Sequence, residues 1–200
     1  MPALVTTADV CSAVDSEHGA TPNDCSDRHT QAPHQPRGSL EWLDDATERV
    51  GLGPLVDRYR SLGIDVHAMR YVQGASESMP FASGSFDVIT MLNSLDHVDD
   101  LARTVAEVKR VLAPGGHLLI VVDVHPKPTA AEPITLAWDL TRLFGPELTV
   151  LREANYEHAP LRRGAAAALE AAIPFAHDDS HPRYGALMAL LHKSGESQLD

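Results

Sequence analysis

The sequence predicts an α/β fold with a mostly parallel sheet and helices on both faces. Residues 70–124 alternate strand, loop, strand, helix, tight turn and strand patterns, which is typical of parallel sheets. The run HLLIVVDV at 117–124 contains an uninterrupted apolar stretch, as expected for a strand that is covered on both faces. The chain has 200 residues, of which 44% are hydrophobic, so one domain with a sizeable core is expected.

The N-terminal segment 1–39 differs from the rest of the chain. Residues 1–40 contain no Phe, Trp or Tyr and are rich in Thr, Ser, Asp, His, Pro and Gln. Such a segment buries too little apolar surface to offset its ordering entropy. We therefore predict a disordered or loosely attached tail over 1–39 and a working domain over 40–200.

From residue 40 the spacing of apolar residues predicts secondary structure. A short helix is expected over 40–49, followed by the brief apolar stretch RVGLGPL and a helix over 55–62 that ends at Gly63. Strands are expected at MRYVQG, 69–74, and at FDVITML, 86–92.

The later elements are predicted in the same way. Apolar residues recur at helical spacing from Leu101 to Leu112, with acids before the first turn, bases in the last, and Pro114-Gly115-Gly116 as the stop. The remaining elements are a helix over 134–144, a strand LTVLREANYE, an alanine-rich helix over 164–173 and a final strand ALMALLHK.

Two stretches together carry a family resemblance: YVQGASESMPFASGSFDVITMLNSLDHVDD, 71–100, and EVKRVLAPGGHLLIVVDVH, 107–125. They combine a strand ending at Gly, a Glu-Ser-Met-Pro-Phe loop, a Phe-Asp strand start, a loop with His and a Pro-Gly-Gly turn. The combination resembles class I S-adenosylmethionine-dependent methyltransferases, in their type 11, small-molecule branch. The resemblance implies a Rossmann-like methyltransferase sheet with S-adenosylmethionine as cofactor.

The resemblance also implies where the cofactor lies, because ligands of open parallel sheets bind at the carboxyl ends of the strands. At the adenine it places Ala75, Ser76 and Glu77, and near the sulfonium it places Asn93, Ser94 and Leu95. For Glu77, a contact near the cofactor and a solvated loop acid are equal alternatives.

The chain departs from the family pattern at three places. Ala75 stands where many relatives have an Asp for the adenine amino group, and Gly53 stands where they have the ribose-binding Asp. The family's glycine-rich loop after its first strand is not found upstream of Gly53. The resemblance therefore implies a truncated domain whose sheet is incomplete in its N-terminal half, with the central strand missing or replaced.

Asp96 and His97 are the candidate catalytic residues. An imidazole can take a proton from a substrate at neutral pH. The alternative is a histidine that shapes the loop and caps the next helix, since methyl transfer can depend largely on proximity and orientation. Asp123 and His125 are weaker candidates for substrate contact, and Asp87 is interpreted as a strand-start acid.

The sequence predicts no metal site. Cys11 and Cys25 lie in a polar stretch and form no disulfide or metal framework. The four clustered residues His177, Asp178, Asp179 and His181 are interpreted as a polar loop in preference to a divalent-metal site.

Charge limits the partners that the chain can have. With 16 basic and 28 acidic residues the net charge is −12, which argues against nucleic acid and anionic membranes as partners. No apolar run has the length of a membrane span, and Met1–Glu17 has no signal-peptide pattern. A cytoplasmic protein with a small-molecule substrate is expected.

Two functions remain open. The first is methyl transfer from S-adenosylmethionine to a small molecule, with 133–181 as the substrate lid and the choice between O-, N- and C-methylation undecided. The second is an inactive methyltransferase-like remnant, or a homodimer or partner subunit, because a missing central strand would expose edges that invite pairing.

Overall fold

A computed structural model of the protein describes residues 3–6, 46–61, 63–130, 132–158 and 164–195, with residues 3–6 described by their backbone alone. Its centre is a seven-stranded sheet. The strands are β1 Ala3–Thr6, β2 Glu48–Gly53, β3 Arg70–Gln73, β4 Phe86–Leu92, β5 Leu112–Val124, β6 Leu148–Glu157 and β7 Gly185–Lys193.

The strand order is β3-β2-β1-β4-β5-β7-β6. The pairs among β1 to β5 are parallel, whereas β7 runs antiparallel to both β5 and β6. From β1 the chain adds β2 and β3 on one side, and then returns to add β4 and β5 on the other side. Ligands of such sheets bind where this order switches, so the crevice for a ligand is expected where β1 and β4 end.

Three α-helices are described: α1 Val56–Arg60, α2 Leu101–Val111 and α3 Ala165–Ala171. Valines of α2 join Ile89 and Ile120 in the main core. Alanines of α3 pack on Val121, which points to the opposite face because successive strand residues alternate. Helices therefore cover both faces of a mostly parallel sheet, and the predicted fold class is confirmed.

The central position of the sheet belongs to β1. Ala3–Thr6 pairs with Glu48–Gly51 on one side and, through residues 4–6, with Val88–Thr90 on the other. The predicted tail is corrected for these four residues, and the rest of 1–39 lies outside the described residues. The sheet is incomplete in its N-terminal half in the sense that the central strand β1 is only four residues long.

Three other predictions needed correction. The predicted helix over 40–49 is absent from its described part, 46–49: Glu48 and Arg49 begin β2, because pairing with β1 and β3 outweighs a weak helical pattern. Residues 40–45 lie outside the described residues. Of the predicted helix 134–144, only Leu140–Phe144 is helical, as a 3-10 turn. The strand predicted at 117–124 begins earlier, at Leu112, so the predicted Pro114-Gly115-Gly116 turn lies within β5, where the pairing with β4 is irregular. The remaining predicted strands and helices are confirmed to within a few residues.

The start of α2 matters for the site described below. The Asp100 carboxylate accepts a hydrogen bond of 3.0 Å from the backbone N–H of Arg103, which is a standard N-cap. Lys109 and Arg110 lie in the last turn, where positive charge is favoured by the helix dipole. In the described part of the chain, no helix is both long and apolar enough to cross a bilayer.

Candidate functional site

The loops after β2, β3 and β4 meet at the carboxyl-end edge of the sheet and enclose a cavity of about 120 Å³. Its lining consists of Leu52, Gly53, Pro54, Gly74, Ala75, Ser76, Glu77, Met91, Ser94, His97, Val98 and Asp99. The cavity thus brings together six residues that the sequence analysis singled out: Gly53, Ala75, Ser76, Glu77, Ser94 and His97.

Glu77 anchors the loop after β3 to the start of α2. Its Oε1 accepts hydrogen bonds from the backbone N–H of Asp99, at 2.7 Å, and of Asp100, at 3.2 Å. Partial burial acts to raise the pKa of Glu77, but hydrogen bonds from its own N–H and from those of Asp100 and Asp99 outweigh it and lower the pKa. Glu77 therefore lies at the cavity and is held there as a carboxylate.

The two serines of the cavity differ in their partners. The Ser76 hydroxyl lies 3.0 Å from Thr104 Oγ1 on α2. The Ser94 Oγ is buried and has no hydrogen-bond partner among the described residues. Ser94 is therefore the hydroxyl with unused bonding capacity at this cavity.

Asn93 and Leu95 flank Ser94 and do not line the cavity. Asn93 has φ +50°, its N–H donates to Val121 O at 2.6 Å, and its buried Oδ1 is unpartnered within the described chain. Leu95 packs inside the main core, so only its backbone is available to a ligand.

Asp96 and His97 occupy the turn between β4 and α2. His97 lines the cavity, and its Nε2 lies 3.8 Å from Asp96 Oδ2. Asp96 itself is fully buried. Burial raises the pKa of the Asp96 carboxyl to about 6; nearby His97 opposes this rise, while Glu132 and Asp123 add to it.

A buried polar cluster lies behind this turn. The His125 Nδ1 lies 2.7 Å from Lys127 O, and its Nε2 lies 3.7 Å from Glu132 Oε2. Asp96 reaches the same place, since one ligand atom from each of Asp96, His125 and Glu132 lies within 4.8 Å of the others. We call this set the Asp96–His125–Glu132 cluster.

The sequence analysis missed two members of this region. Glu132 lies in a loop without any recognisable motif, and His158, which pairs with Asp123 Oδ1 at 2.8 Å, follows an exposed strand. Asp123 and His125 were considered only as substrate contacts. No sequence spacing could reveal the convergence, because Asp96 follows β4, His125 and Glu132 follow β5, and His158 follows β6.

The polar residues near the C-terminus form a loop. His181 is 88% exposed and its Nδ1 lies 2.7 Å from Asp179 Oδ1, whereas the His177 ring contacts Asn155 instead. The interpretation as a polar loop agrees with these contacts. A wider groove of about 710 Å³ follows α2, but none of the predicted site residues lines it.

Comparison with known proteins finds similarity over part of the chain. Residues 43–120 match the family model described as a methyltransferase domain. The ubiquinone/menaquinone biosynthesis C-methyltransferase UbiE of Klebsiella pneumoniae is 37% identical over 103 residues, which is 52% of this chain and 38% of that protein. The chain thus spans about two-fifths of the length of this curated relative.

Solved structures share the fold. The N-methyltransferase NodS from Bradyrhizobium japonicum WM9, in complex with S-adenosyl-L-homocysteine, has a TM-score of 0.52 at 13% identity over 77% of this chain and 71% of that one. A geranyl diphosphate methyltransferase in complex with SAM has a TM-score of 0.50 at 16% identity, covering 73% of this chain and 68% of that one. At these identities the likeness concerns the fold alone.

Proposed function

We propose that the chain, whose residues 43–120 match a methyltransferase-domain family model, is a class I S-adenosylmethionine-dependent methyltransferase that transfers a methyl group from S-adenosylmethionine to a small molecule. The observation that carries the proposal is the cavity at the ends of β2, β3 and β4, which lies within the matched residues. This is the edge at which open α/β sheets bind ligands.

The residues present fit the adenosine part of the cofactor. Leu52, Met91 and Val98 give the cavity apolar walls, and Ser94 Oγ is a buried polar atom without a partner in the described chain. Ala75 and Ser76 would lie at the adenine, as the resemblance implies. Asn93, Ser94 and the backbone of Leu95 would lie towards the sulfonium.

One departure weakens this fit. Gly53 lines the cavity but offers no carboxylate to the ribose hydroxyls. Charge-assisted hydrogen bonds of this kind contribute about 1.5–3 kcal/mol each. We therefore expect the protein to bind S-adenosylmethionine more weakly than relatives that carry an acid at this position.

When bound, S-adenosylmethionine supplies a methyl group on a positively charged sulfonium. The contribution of this chain is to orient the acceptor and exclude water. His97 lines the cavity and is the side chain we assign to accept the proton that the acceptor loses. Asp96, 3.8 Å away, would stabilise the imidazolium that results.

We place the acceptor under the C-terminal region 133–181. Its beginning is tied to the catalytic turn, because the Ile134 N–H donates to Asp96 O at 3.2 Å, and Leu136 and Leu140 are anchored in the core. The named relative acts in ubiquinone and menaquinone biosynthesis as a C-methyltransferase, so a precursor of these quinones is the first acceptor to assay.

The alternative of a partner that completes the sheet loses its premise. β1 already pairs with β2 and β4 within one chain, so the centre of the sheet is filled along Ala3–Thr6 without a strand from another subunit.

Calorimetric titration with S-adenosylmethionine tests the proposal. The variant Ala75→Leu places a larger side chain in the cavity lining and should weaken cofactor binding about tenfold or more, as overpacking a closed site does. Ala82→Leu is the matched control, since Ala82 is exposed on the same connection and lies outside the cavity lining.

Two results would remove the proposal. One is a folded wild-type protein that gives no heat with S-adenosylmethionine at millimolar concentration. The other is equal weakening by Ala75→Leu and Ala82→Leu, which would place the cofactor elsewhere. Transfer of a labelled methyl group to the acceptor then separates binding from catalysis.

A further inference from the structure

The Asp96–His125–Glu132 cluster leaves buried polar atoms without partners. Asp96 is 0% and His125 2% exposed. Among the described residues, both carboxylate oxygens of Asp96 and the Nε2 of His125 have no hydrogen-bond partner. Buried polar atoms are nearly always paired, so each exception requires an explanation.

The hydrogen bond of His125 sharpens the problem. Lys127 O can only accept a hydrogen bond, so the His125 Nδ1 at 2.7 Å must be the donor. In the neutral ring the Nε2 then carries a lone pair. The Nε2 lies 3.7 Å from Glu132 Oε2, and a carboxylate oxygen of Asp96 lies within 4.8 Å of both partners. Three electron-pair donors therefore converge, and no side chain in the described part of the chain donates a hydrogen bond between them.

We propose that Asp96, His125 and Glu132 bind a divalent first-row transition-metal ion. One imidazole nitrogen and two carboxylates suit Zn²⁺ or Mn²⁺. A donation from the distal ring N–H to a backbone carbonyl, as from His125 to Lys127, is the arrangement that orients histidine ligands in metal sites.

The distances are compatible with this assignment. Two atoms bound to the same ion at about 2.1 Å are at most about 4.2 Å apart. The three candidate ligand atoms lie within 4.8 Å of one another, so side-chain movements of about 1 Å close the site around an ion. Glu132, on a loop and the least buried of the three, is the ligand best able to move.

The ion would join two loops at the carboxyl-end edge of the sheet. Asp96 lies in the turn after β4, beside His97, and the other two ligands lie in the segment after β5. Binding would thus fix the turn that carries His97 to the start of the C-terminal region. The metal site does not rest on the proposed methyl transfer, since its ligands lie outside the cofactor cavity.

Titration of tag-free, chelator-treated protein with Mn²⁺, followed by EPR, and with Zn²⁺, followed by calorimetry, tests the proposal without any cofactor. We expect one ion per chain. Glu132→Gln should weaken binding about tenfold or more, since loss of a ligand costs at least as much as loss of an outer-shell partner. His181→Ala is the control, because its exposed ring pairs with Asp179 away from the cluster.

The wild type should also unfold at a higher temperature with the ion than without it, and His125→Ala should lose this shift. If His125→Ala does not fold, the part-exposed Glu132→Gln carries the test, with circular dichroism of the metal-free proteins as the check on folding. A folded wild type that binds neither ion at millimolar concentration overturns the site. So does undiminished binding by Glu132→Gln.

Discussion

A single residue at the end of β4 sets the direction of the candidate catalytic turn. Asn93 adopts a left-handed conformation, which is uncommon outside glycine but tolerated best by Asn. Its N–H donates to Val121 O, so the bend is attached to β5. Beyond the bend, Leu95 enters the core and His97 reaches the cavity. Strained residues of this kind are concentrated at functional sites.

His97→Gln tests the proton-transfer role at the scale of one side chain. Glutamine keeps the size and polarity of the ring but cannot accept a proton at neutral pH. We expect kcat for methyl transfer to fall about 100-fold while the Kd for S-adenosylmethionine changes little. Steady-state kinetics and calorimetry on the same preparation measure the two quantities.

His181→Gln is the control for this substitution, because His181 is almost fully exposed and its variant should match the wild type in both assays. A parallel loss of affinity and kcat in His97→Gln would mean that the histidine only shapes the loop. An unchanged kcat would also reject the proton-transfer role.

At the scale of elements, one ion pair fastens α2 to the loop after β3. Arg110 donates to the Glu107 carboxylate from Nε at 2.7 Å and from Nη2 at 2.8 Å, and it also donates to Phe81 O and Met79 O. The same carboxylate accepts from the Met79 N–H at 2.7 Å. This Glu107–Arg110 clamp therefore fixes the far end of the segment whose beginning, 74–77, lines the cavity.

Glu107→Gln should destabilise the protein by about 1–3 kcal/mol at neutral pH, because a charge-assisted network is lost. The hydrogen bonds from Arg110 lower the pKa of Glu107 below its ordinary 4.5. The folded state thus favours the ionised form, so the clamp's contribution is complete above pH 4.5 and is lost as the pH falls through the lowered value. Urea unfolding between neutral and acidic pH should show the difference between wild type and variant shrinking.

Asp139→Asn provides the matched comparison for the clamp. Asp139 and Arg142 have the same spacing along the chain, but both are exposed and 3.5 Å apart, so we expect a change below about 0.5 kcal/mol at every pH. If the loss of unfolding free energy in Glu107→Gln grew towards acidic pH, this would contradict a lowered pKa of Glu107 in the folded state.

At the scale of the whole molecule, strong local patterns were sufficient for most of the fold. FDVITML and LTVLREANYE became strands with the predicted bounds, since apolar density and β-branching act locally. Several residues that line the cavity were predicted through a motif that spans two strand ends. The features that local patterns missed depend on contacts between distant parts of the chain. ALVT at residues 3–6 is too short to be recognised as a strand without its partner strands. Glu132 approaches Asp96 only in the folded chain.

The central strand β1 should be sensitive to proline. β1 pairs with β2 and β4 along both of its edges, so a proline at Val5 removes an N–H from the middle of the sheet, where proline is hardly ever tolerated. Val5→Ala retains that N–H and serves as the reference. We expect Val5→Pro to be less stable than Val5→Ala by about 3 kcal/mol or more in urea unfolding. The newly exposed edges of β2 and β4 should also promote association, visible as larger species in size-exclusion chromatography. Equal stability of the two variants would mean that Ala3–Thr6 does not complete the sheet in solution, and the partner-completed arrangement would regain its premise.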